Sequence, residues 1–311
     1  MGMMAFFTRR DPAALAMRPE TQREAIVASL LAWAWAVEAR DPWTGGHLWR
    51  VARYTDLLAA RAGMAPQERA QVALAAFLHD LGKLAVPEAL LRQREPLTQA
   101  DHAVLRTHPE MGARLLAGHP YGPLVHDVVL LHHETPDGRG YPRGLSGPAI
   151  PTGARIVGLC DAFDAMTTRR PWREAMSIDE ALSTIEVQLG RQFDDFLGQL
   201  FLALASEGAF QGVIGHSDEG MPLQHCGTCG PTMVQRREHR AGEHLHCPAC
   251  GARHRLVSAG GDGAGPRALI AEATGAFGSP LDLLPEPDHA LIRRFVQDTV
   301  GLAVQAGYAP A

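Results

Sequence analysis

Apolar residues recur every three or four positions through most of the first two thirds of the chain. The pattern is clear in residues 26–37, 72–78, 124–131 and 187–204, and this spacing places the apolar side chains on one face of a helix. Strict alternation of apolar and polar residues, which is typical of strands, is scarce in this region. The sequence therefore predicts an all-α helical bundle over residues 21–205.

The rest of the chain divides into shorter segments. Residues 1–20 are expected to form an irregular lead-in, and residues 206–222, which are rich in Gly and polar side chains, are expected to form a linker. Residues 223–258 have too few apolar side chains for a hydrophobic core of their own, so a metal ion is expected to hold them together. Residues 259–311 predict a flexible glycine-rich spacer followed by an amphipathic C-terminal helix near 288–304.

Composition and charge narrow the class of protein. Of 311 residues, 46% are hydrophobic and 20% are charged, which fits a soluble globular protein and excludes a largely disordered one. The net charge of −5 and the 6% of aromatic residues do not favour nucleic acid as a partner. The longest uncharged apolar stretch has 12 residues, fewer than the roughly 20 that span a bilayer, and no signal-peptide pattern is present. We therefore expect a cytoplasmic protein that makes no membrane contact.

Four of the five cysteines form two Cys-x-x-Cys pairs: Cys226, Cys229, Cys247 and Cys250. In a reducing compartment such pairs indicate metal binding rather than disulfides, and four thiolates favour a closed tetrahedral Zn²⁺ site. The 17 residues between the pairs resemble the spacing of zinc ribbons. A rubredoxin-like iron site is the alternative, but residues 223–258 contain no Phe, Trp or Tyr. We expect one structural zinc ion in a small β module.

Several histidines lie beside an aspartate or directly after an apolar helical segment. His79 and His132 each follow such a segment, so they are expected where a buried helix face meets a polar pocket. A single buried histidine is more often a hydrogen-bonded core residue, and the case for a metal site depends on several of them occurring together. Asp80 could bridge two ions about 3.5–4 Å apart, as in phosphoryl transfer. Lys83, the only lysine in the chain, could hold a phosphate as a point charge.

These motifs resemble the HD-GYP subgroup of the HD-domain phosphohydrolases. The matching segments are His79-Asp80-Leu81-Gly82-Lys83, His108-Pro109-Glu110-Met111-Gly112, His132-His133-Glu134, Gly140-Tyr141-Pro142, Asp161-Ala162-Phe163-Asp164-Ala165-Met166 and Arg170-Pro171-Trp172-Arg173. Upstream, Thr44-Gly45-Gly46-His47 also fits. The resemblance covers residues 21–205, and several independent motifs in the right order make it specific.

The resemblance implies a helical bundle that hydrolyses cyclic di-GMP at a site with two or three metal ions. The ligands it implies are His47, His79, Asp80, His108, His132, His133 and Asp161. Asp80 is the implied bridge between the ions, while the division of the histidines between them stays open. Some members hold a third ion through a glutamate directly before the threonine of the first motif. Trp43 occupies that position here, so we expect two divalent ions, with iron or manganese as the expected metals.

The resemblance also implies roles in catalysis and substrate binding. A hydroxide held between the ions would attack phosphorus and yield pGpG, and further hydrolysis to GMP is left open. Asp80 and Lys83 are the implied catalytic residues, with Lys83 holding a phosphate oxygen. Arg170 and Arg173 would hold the nucleotide, and Tyr141 would contact the substrate or a protein partner from its glycine-rich loop.

Two other functions stay open at this point. The bundle could hydrolyse another nucleotide or phosphoester, because a fold does not determine a substrate. It could also be a non-catalytic cyclic di-GMP sensor or scaffold, although a pure binder would not need seven metal ligands. For the cysteine module, five arginines against two glutamates in residues 225–258 are too modest a charge to predict nucleic-acid binding. A protein partner or self-association, through the module or the Tyr141 loop, is the preferred expectation.

Overall fold

The computed structural model describes residues 19–93, 95–170, 173–259, 269–284 and 286–306. Most of the predicted lead-in, at residues 1–18, and most of the predicted glycine-rich spacer, at residues 260–268, lie outside the described residues.

Helices account for most of the first two thirds of the described chain. They are α1 (Pro19–Glu38), α2 (His47–Arg61), α3 (Pro66–Leu78), α4 (Glu88–Leu91), α5 (Gln99–Leu105), α6 (His108–Leu116), α7 (Gly122–Leu131), α8 (Thr152–Thr167), α9 (Ile178–Val187) and α10 (Asp195–Ser206). The predicted helical bundle is confirmed, because apolar side chains from all of these helices except the short α4 and α5 meet in one continuous core. At its centre the Tyr54 ring packs edge to face on Phe163 and on Phe210, at centroid distances of 5.4 and 5.2 Å. Full burial of side chains of this size contributes roughly 1.5–3 kcal/mol each.

Two helix ends and one tight turn bring the polar motifs together. Helix α3 ends at Leu78, directly before His79, and a 3-10 turn over Leu81–Ala85 follows it. Helix α6 packs directly against that turn. A Cβ on Gly82 would lie 1.8 Å from the carbonyl oxygen of His108, so only glycine allows this close approach. The close packing brings the start of α6 next to the end of α3.

Short antiparallel strands follow the helices. They are β1 (His216–Asp218), β2 (Met221–Pro222), β3 (Gln224–His225), β4 (Thr232–Met233), β5 (His244–His246), β6 (Ala252–Ser258) and β7 (Leu269–Phe277). Strand β1 pairs with β2, β3 pairs with β4, and β5, β6 and β7 form a three-stranded sheet. The chain is therefore helical with a small β module, as predicted. Strands β1 and β2 lie in the segment 206–222 that was expected to be a linker. Strand β7 was not predicted, because its sequence shows no alternation, and Leu269 is its only buried side chain.

After the β module the chain returns to the helical bundle. The predicted helix near 288–304 is divided into α11 (His289–Asp298) and α12 (Gly301–Ala306). The first of them ends where the N–H groups of Thr299 and Val300 both donate to the carbonyl of Phe295. These helices pack against α1 and α3, and the Phe295 ring lies 5.0 Å from that of Phe77. The C-terminal helices thus complete the core of the bundle. Within the described residues, no helix has the length and apolar character to cross a membrane.

Candidate active site

The seven side chains predicted as metal ligands meet in one pocket of the bundle. They come from five places in the chain: His47 at the start of α2, His79 and Asp80 after α3, His108 at the start of α6, His132 and His133 after α7, and Asp161 within α8. His47, His79, Asp80, His108 and His132 are buried. Residues more than 100 positions apart in the sequence therefore share a single polar site.

Asp80 lies between two groups of histidines. Its Oδ2 atom is 3.7 Å from Nε2 of His47 and 3.5 Å from Nε2 of His79. Its Oδ1 atom is 3.4 Å from Nε2 of His108. His108 belongs to a second group of histidines. Its Nε2 atom is 3.3 Å from His132 Nε2, and the ring centroids of His132 and His133 are 4.1 Å apart. The two oxygens of one carboxylate thus face different sets of ligand atoms.

Asp161 joins the first of these groups. Its Oδ1 atom is 3.4 Å from Nε2 of His47 and 3.8 Å from Nε2 of His79. The ligand atoms of His47, His79 and Asp80 all lie within 4.8 Å of one another, as do those of His108, His132 and His133. Each group is compact enough to surround one ion.

Backbone carbonyls orient three of the imidazoles. His79 Nδ1 lies 2.6 Å from the carbonyl oxygen of Ala76, and His108 and His132 make the same contact with the residue three positions earlier, at 2.8 Å. A ring that donates Nδ1–H to a carbonyl presents Nε2 as an acceptor, which is the form that binds a metal. Among the described residues, the buried Nε2 atom of His79 has no hydrogen-bond partner. Such an unsatisfied atom, facing two carboxylates, fits a bound divalent cation.

A buried ion pair behind the site orients His47. Its Nδ1 atom lies 2.8 Å from Oδ2 of Asp164, and Arg50 donates to both oxygens of that carboxylate, at 2.6 and 2.9 Å. The side chains of Arg50 and Asp164 are each 1% exposed. Burial raises the pKa of Asp164, but the charge of Arg50 and the hydrogen bond from His47 outweigh it and hold that pKa well below its usual range. Asp164 is therefore a carboxylate that fixes the ring orientation of His47.

These supporting residues were not predicted from the sequence. Arg50 and Asp164 each lie three positions after a predicted ligand, on the same face of α2 and α8 respectively, and this spacing was an available signal. Glu38 had no such signal. Its buried carboxylate at the end of α1 accepts hydrogen bonds from the backbone N–H groups of Gly46 and Leu48, at 2.7 and 2.8 Å. These two amides flank His47, and only the packing of α1 against α2 brings Glu38 to them.

Lys83 and Tyr141 lie at the pocket. The Nζ atom of Lys83 is 2.6 Å from Oδ2 of Asp80. Burial raises the pKa of Asp80, but the charges of Lys83 and the neighbouring histidines outweigh it and hold that pKa well below its usual value. Tyr141 stacks on His133 at a centroid distance of 4.7 Å, and Arg106 lies 5.3 Å above the tyrosine ring. The side chains of Tyr141, His133 and Arg106 line a cavity of about 300 Å³. Arg106 was not predicted as a site residue.

Both predicted nucleotide-binding arginines make contacts within the protein. Arg170 forms an ion pair with Asp41 at 3.5 Å. Burial lowers the pKa of Lys83, but its contact with Asp80 outweighs both burial and the repulsion from Arg170 and leaves that pKa raised. Arg173 donates a hydrogen bond to the carbonyl oxygen of Ala165. Its Nε atom is buried and has no hydrogen-bond partner among the described residues. Part of each guanidinium therefore already contacts an acceptor within the protein.

The four paired cysteines also come together. Their Sγ atoms are 3.8 Å apart for Cys226 and Cys229, 3.8 Å for Cys226 and Cys250, and 3.5 Å for Cys229 and Cys247. An ion with tetrahedral Zn–S bonds of about 2.3 Å would separate its sulfur atoms by about 3.8 Å. The four thiols therefore fit a zinc ion. Cys160 is buried in the core of the bundle, away from this group.

Burial keeps three of the pocket histidines neutral. It lowers the pKa of His108 to about 4 and that of His133 to about 3, and it lowers the pKa of His132 well below its usual value. For His47 burial also lowers the pKa, but the hydrogen bond and charge of Asp164 outweigh it and leave that pKa raised. An unfolded chain protonates histidines near pH 6.5. Between about pH 6.5 and 4 the unfolded state therefore binds more protons at three of these histidines.

Metal-free protein is accordingly expected to lose stability as the pH falls from 7 to 4.5. Each neutral histidine contributes up to about 1.4 kcal/mol per pH unit in this range. The raised pKa of His47 opposes this trend only above about pH 6.5, because below that pH its ring is protonated in both the folded and the unfolded state. Thermal unfolding in the presence of a chelator would measure the trend. A His133→Asn variant is expected to show a shallower pH dependence, and a slope equal to that of the unchanged protein would contradict this origin.

Comparison with known proteins agrees with the geometry. The family model of the HD domain matches residues 33–197. The chain is 41% identical over 164 residues to the cyclic di-GMP phosphodiesterase response regulator RpfG of Xanthomonas campestris, covering 51% of this chain and 43% of that protein. It is 39% identical over 159 residues to a 3′3′-cGAMP-specific phosphodiesterase of Vibrio cholerae, covering 51% of this chain and 34% of that protein.

A cyclic di-GMP phosphodiesterase of Thermotoga maritima is 35% identical over 172 residues, covering 55% of this chain and 47% of that protein. The chain thus spans less than half the length of each of these three relatives. The family model matches more than half of this chain, and the matched residues include every histidine and aspartate around the pocket. The predicted resemblance is confirmed, and the chain belongs to the HD domain family.

Proposed function

We propose that the bundle is a metal-dependent phosphodiesterase that hydrolyses cyclic di-GMP to pGpG, with further hydrolysis to GMP as a second step. The observation that carries the proposal is the position of Asp80, whose two oxygens face two separate groups of metal-ligand atoms. Two of the relatives named above are cyclic di-GMP phosphodiesterases. The proposed reaction class is hydrolysis of a phosphodiester bond in a cyclic dinucleotide.

We assign His47, His79 and Asp161 to one divalent ion and His108, His132 and His133 to the other, with Asp80 shared between them. The short distances within each group support this division. When bound, such ions would lower the pKa of the attacking water and stabilise negative charge on phosphorus. Iron and manganese are the proposed metals, because imidazole and carboxylate ligands suit both.

The protein's own groups would prepare the site in three ways. Burial keeps His108, His132 and His133 neutral, so that their lone pairs stay available. The low pKa of Asp80 keeps its carboxylate charged. Lys83 would hold a non-bridging phosphate oxygen, because its ammonium already lies at Asp80.

Arg170, Arg173 and Tyr141 are proposed to hold the nucleotide. Arg170 and Arg173, whose backbones pair with each other, would supply positive charge for the phosphates. The stacked rings of His133 and Tyr141 border the cavity of about 300 Å³. A flat purine base would fit such an aromatic wall.

A second candidate substrate is 3′3′-cGAMP. One relative at 39% identity is named as specific for it, and the two dinucleotides differ only in one purine base. The residues around the metal-ligand groups would serve either substrate, because the reacting phosphodiester is the same.

The full chain, loaded in separate samples with Fe²⁺ or Mn²⁺, tests the proposal. We expect two ions per bundle by elemental analysis, and conversion of cyclic di-GMP to pGpG when products are separated by chromatography. 3′3′-cGAMP and cyclic di-AMP provide the comparison substrates, and chelated protein is the control. Binding of cyclic di-GMP without turnover would make the protein a sensor, and hydrolysis only of other phosphoesters would make it a different HD hydrolase.

We also propose that the four cysteines hold one structural zinc ion. Their sulfur spacing of 3.5–3.8 Å supports this. A closed site of this kind stabilises a module whose apolar core is small, and here that core consists largely of Met233, Leu245, Leu256 and Leu269 besides the cysteines.

A further inference from the structure

We propose that the four-cysteine module positions the metal ligand His47, so that the ion in the module controls metal binding in the bundle. The module acts through residues 43–46, the part of the α1–α2 connection that directly precedes α2, named here the α2 entry loop. The inference rests on the proposed function, since it gives the bundle site a form of regulation. Its main readouts, amide exchange and Mn²⁺ binding, require no hydrolysis.

The first contact is between β1 and the end of the entry loop. Gly46 directly precedes His47 and has φ of 75°, a conformation that favours glycine. A Cβ at Gly46 would lie 2.8 Å from Cα of Ser217 in β1. The backbone of the chain after the bundle therefore lies directly on the residue before the ligand.

The second contact comes from strand β4 and the residue after it. The Thr232 hydroxyl donates to the carbonyl of Trp43, at 3.4 Å. A Cβ on Gly45 would lie 3.0 Å from Cγ2 of Val234, so that side chain covers the middle of the loop. Both ends and the centre of the entry loop are thus held by residues 217–234.

These covering residues depend directly on the cysteine site. Strands β3 and β4 form a hairpin whose turn is the first cysteine pair. The Cys226 N–H donates to Pro231 at 2.9 Å, and the Gly230 N–H donates to Cys226 at 2.9 Å. Thr232 follows Cys229 by three residues. An ion bound by Cys226 and Cys229 would therefore hold the hairpin in the shape that places Thr232 and Val234 on the loop.

Arg50 links the same segment to His47 by a second route. Its Nη1 atom donates to the carbonyl of Gly45 and to that of His216 in β1, both at 3.0 Å. Its remaining N–H groups donate to Asp164 and to the Thr168 hydroxyl. All five N–H donors of Arg50 therefore have acceptors within the protein, and the side chain is only 1% exposed.

Movement of β1 would leave one buried N–H of Arg50 without an acceptor, which is costly in the protein interior. The guanidinium would then shift to regain a partner, and Asp164 and the Nδ1 hydrogen bond of His47 would shift with it. Because changes of this kind behind a metal ligand typically lower metal affinity 10–100-fold, loss of the module's ion is expected to weaken the bundle site.

Cys229→Ser in the full chain tests the proposal. Elemental analysis is expected to show loss of the zinc ion. Amide hydrogen exchange is expected to become at least about 10-fold faster in residues 43–50, and Mn²⁺ affinity of the bundle, followed by paramagnetic resonance, is expected to fall about 10-fold. Zinc loss with unchanged exchange and unchanged Mn²⁺ affinity would overturn the proposal.

A second variant keeps all four cysteines and removes only the contacts. Thr232→Val combined with Val234→Ala is expected to retain the zinc ion but to show the same faster exchange and weaker Mn²⁺ binding. Val257→Ala is the matched control, because Val257 lies on β6 and pairs with Ile270 rather than with the entry loop. Identical behaviour of the contact variant and this control would refute the positioning role.

The positioning role also predicts which kinetic quantity changes. In the contact variant, the Mn²⁺ concentration for half-maximal activity is expected to rise about 10-fold, while KM for the substrate at saturating Mn²⁺ stays unchanged. A change in KM alone would contradict the inference. Absence of hydrolysis in every protein, including the unchanged one, would refute the proposed function but leave the exchange and Mn²⁺ measurements as a separate test.

Discussion

Asp80→Asn is expected to reduce kcat/KM for cyclic di-GMP by at least about 10³-fold, which corresponds to about 4 kcal/mol of lost transition-state stabilisation. Asparagine preserves the size of the side chain but removes the negative charge that faces His79 on one side and His108 on the other. It also removes the partner of the Lys83 ammonium. Both groups of ligand atoms therefore lose the carboxylate that they share, and hydrolysis is weakened by this loss as well as by the loss of the Lys83 contact.

Metal content separates this explanation from a fault in folding. Elemental analysis is expected to find at most one ion per bundle in Asp80→Asn, against two in the unchanged protein. Asp127→Asn is a suitable control, because this aspartate is on α7 and its side chain is 73% exposed. If Asp80→Asn keeps two ions and near-normal turnover, Asp80 is not the shared ligand.

Asp164→Ala is expected to destabilise metal-free protein by about 3–5 kcal/mol, because it leaves the charge of Arg50 buried without its partner. It also removes the acceptor for Nδ1 of His47. Metal affinity is therefore expected to fall 10–100-fold in addition to the loss of stability. Urea unfolding of the metal-free protein and Mn²⁺ titration of the folded protein measure the two effects separately.

A double variant tells the structural role of Asp164 from its positioning role. In Arg50→Met with Asp164→Leu, apolar side chains replace the ion pair, and replacements of this kind often restore stability. We expect partial recovery of the unfolding midpoint, since the contacts of Arg50 with the Gly45 and His216 carbonyls are also lost. Metal affinity should stay low. A single Asp164→Ala variant with an unchanged midpoint would show that the pair does not stabilise the fold.

The helical part of the fold was predictable because its signal is local. Apolar spacing along α1, α3, α7 and α10 places one face of each helix in the core, and this spacing is visible in the sequence. The β module was predictable for a different reason, since paired cysteines mark it directly. Strand β7 and the division of the last helix at Thr299 were not predictable, because neither has a marked pattern of its own.

The order of motifs along the chain was enough to name seven metal-ligand candidates, the lysine beside them and the family. Residue type carries that information, because few side chains bind divalent ions and their spacing relative to helix ends is readable. Three things depended on the fold: the division of the histidines between the two sides of Asp80, the support of His47 by Asp164, Arg50 and Glu38, and the contact of the cysteine module with the α2 entry loop. Each joins residues that are distant in sequence or involves backbone groups, which every residue possesses, so only the packed chain reveals them.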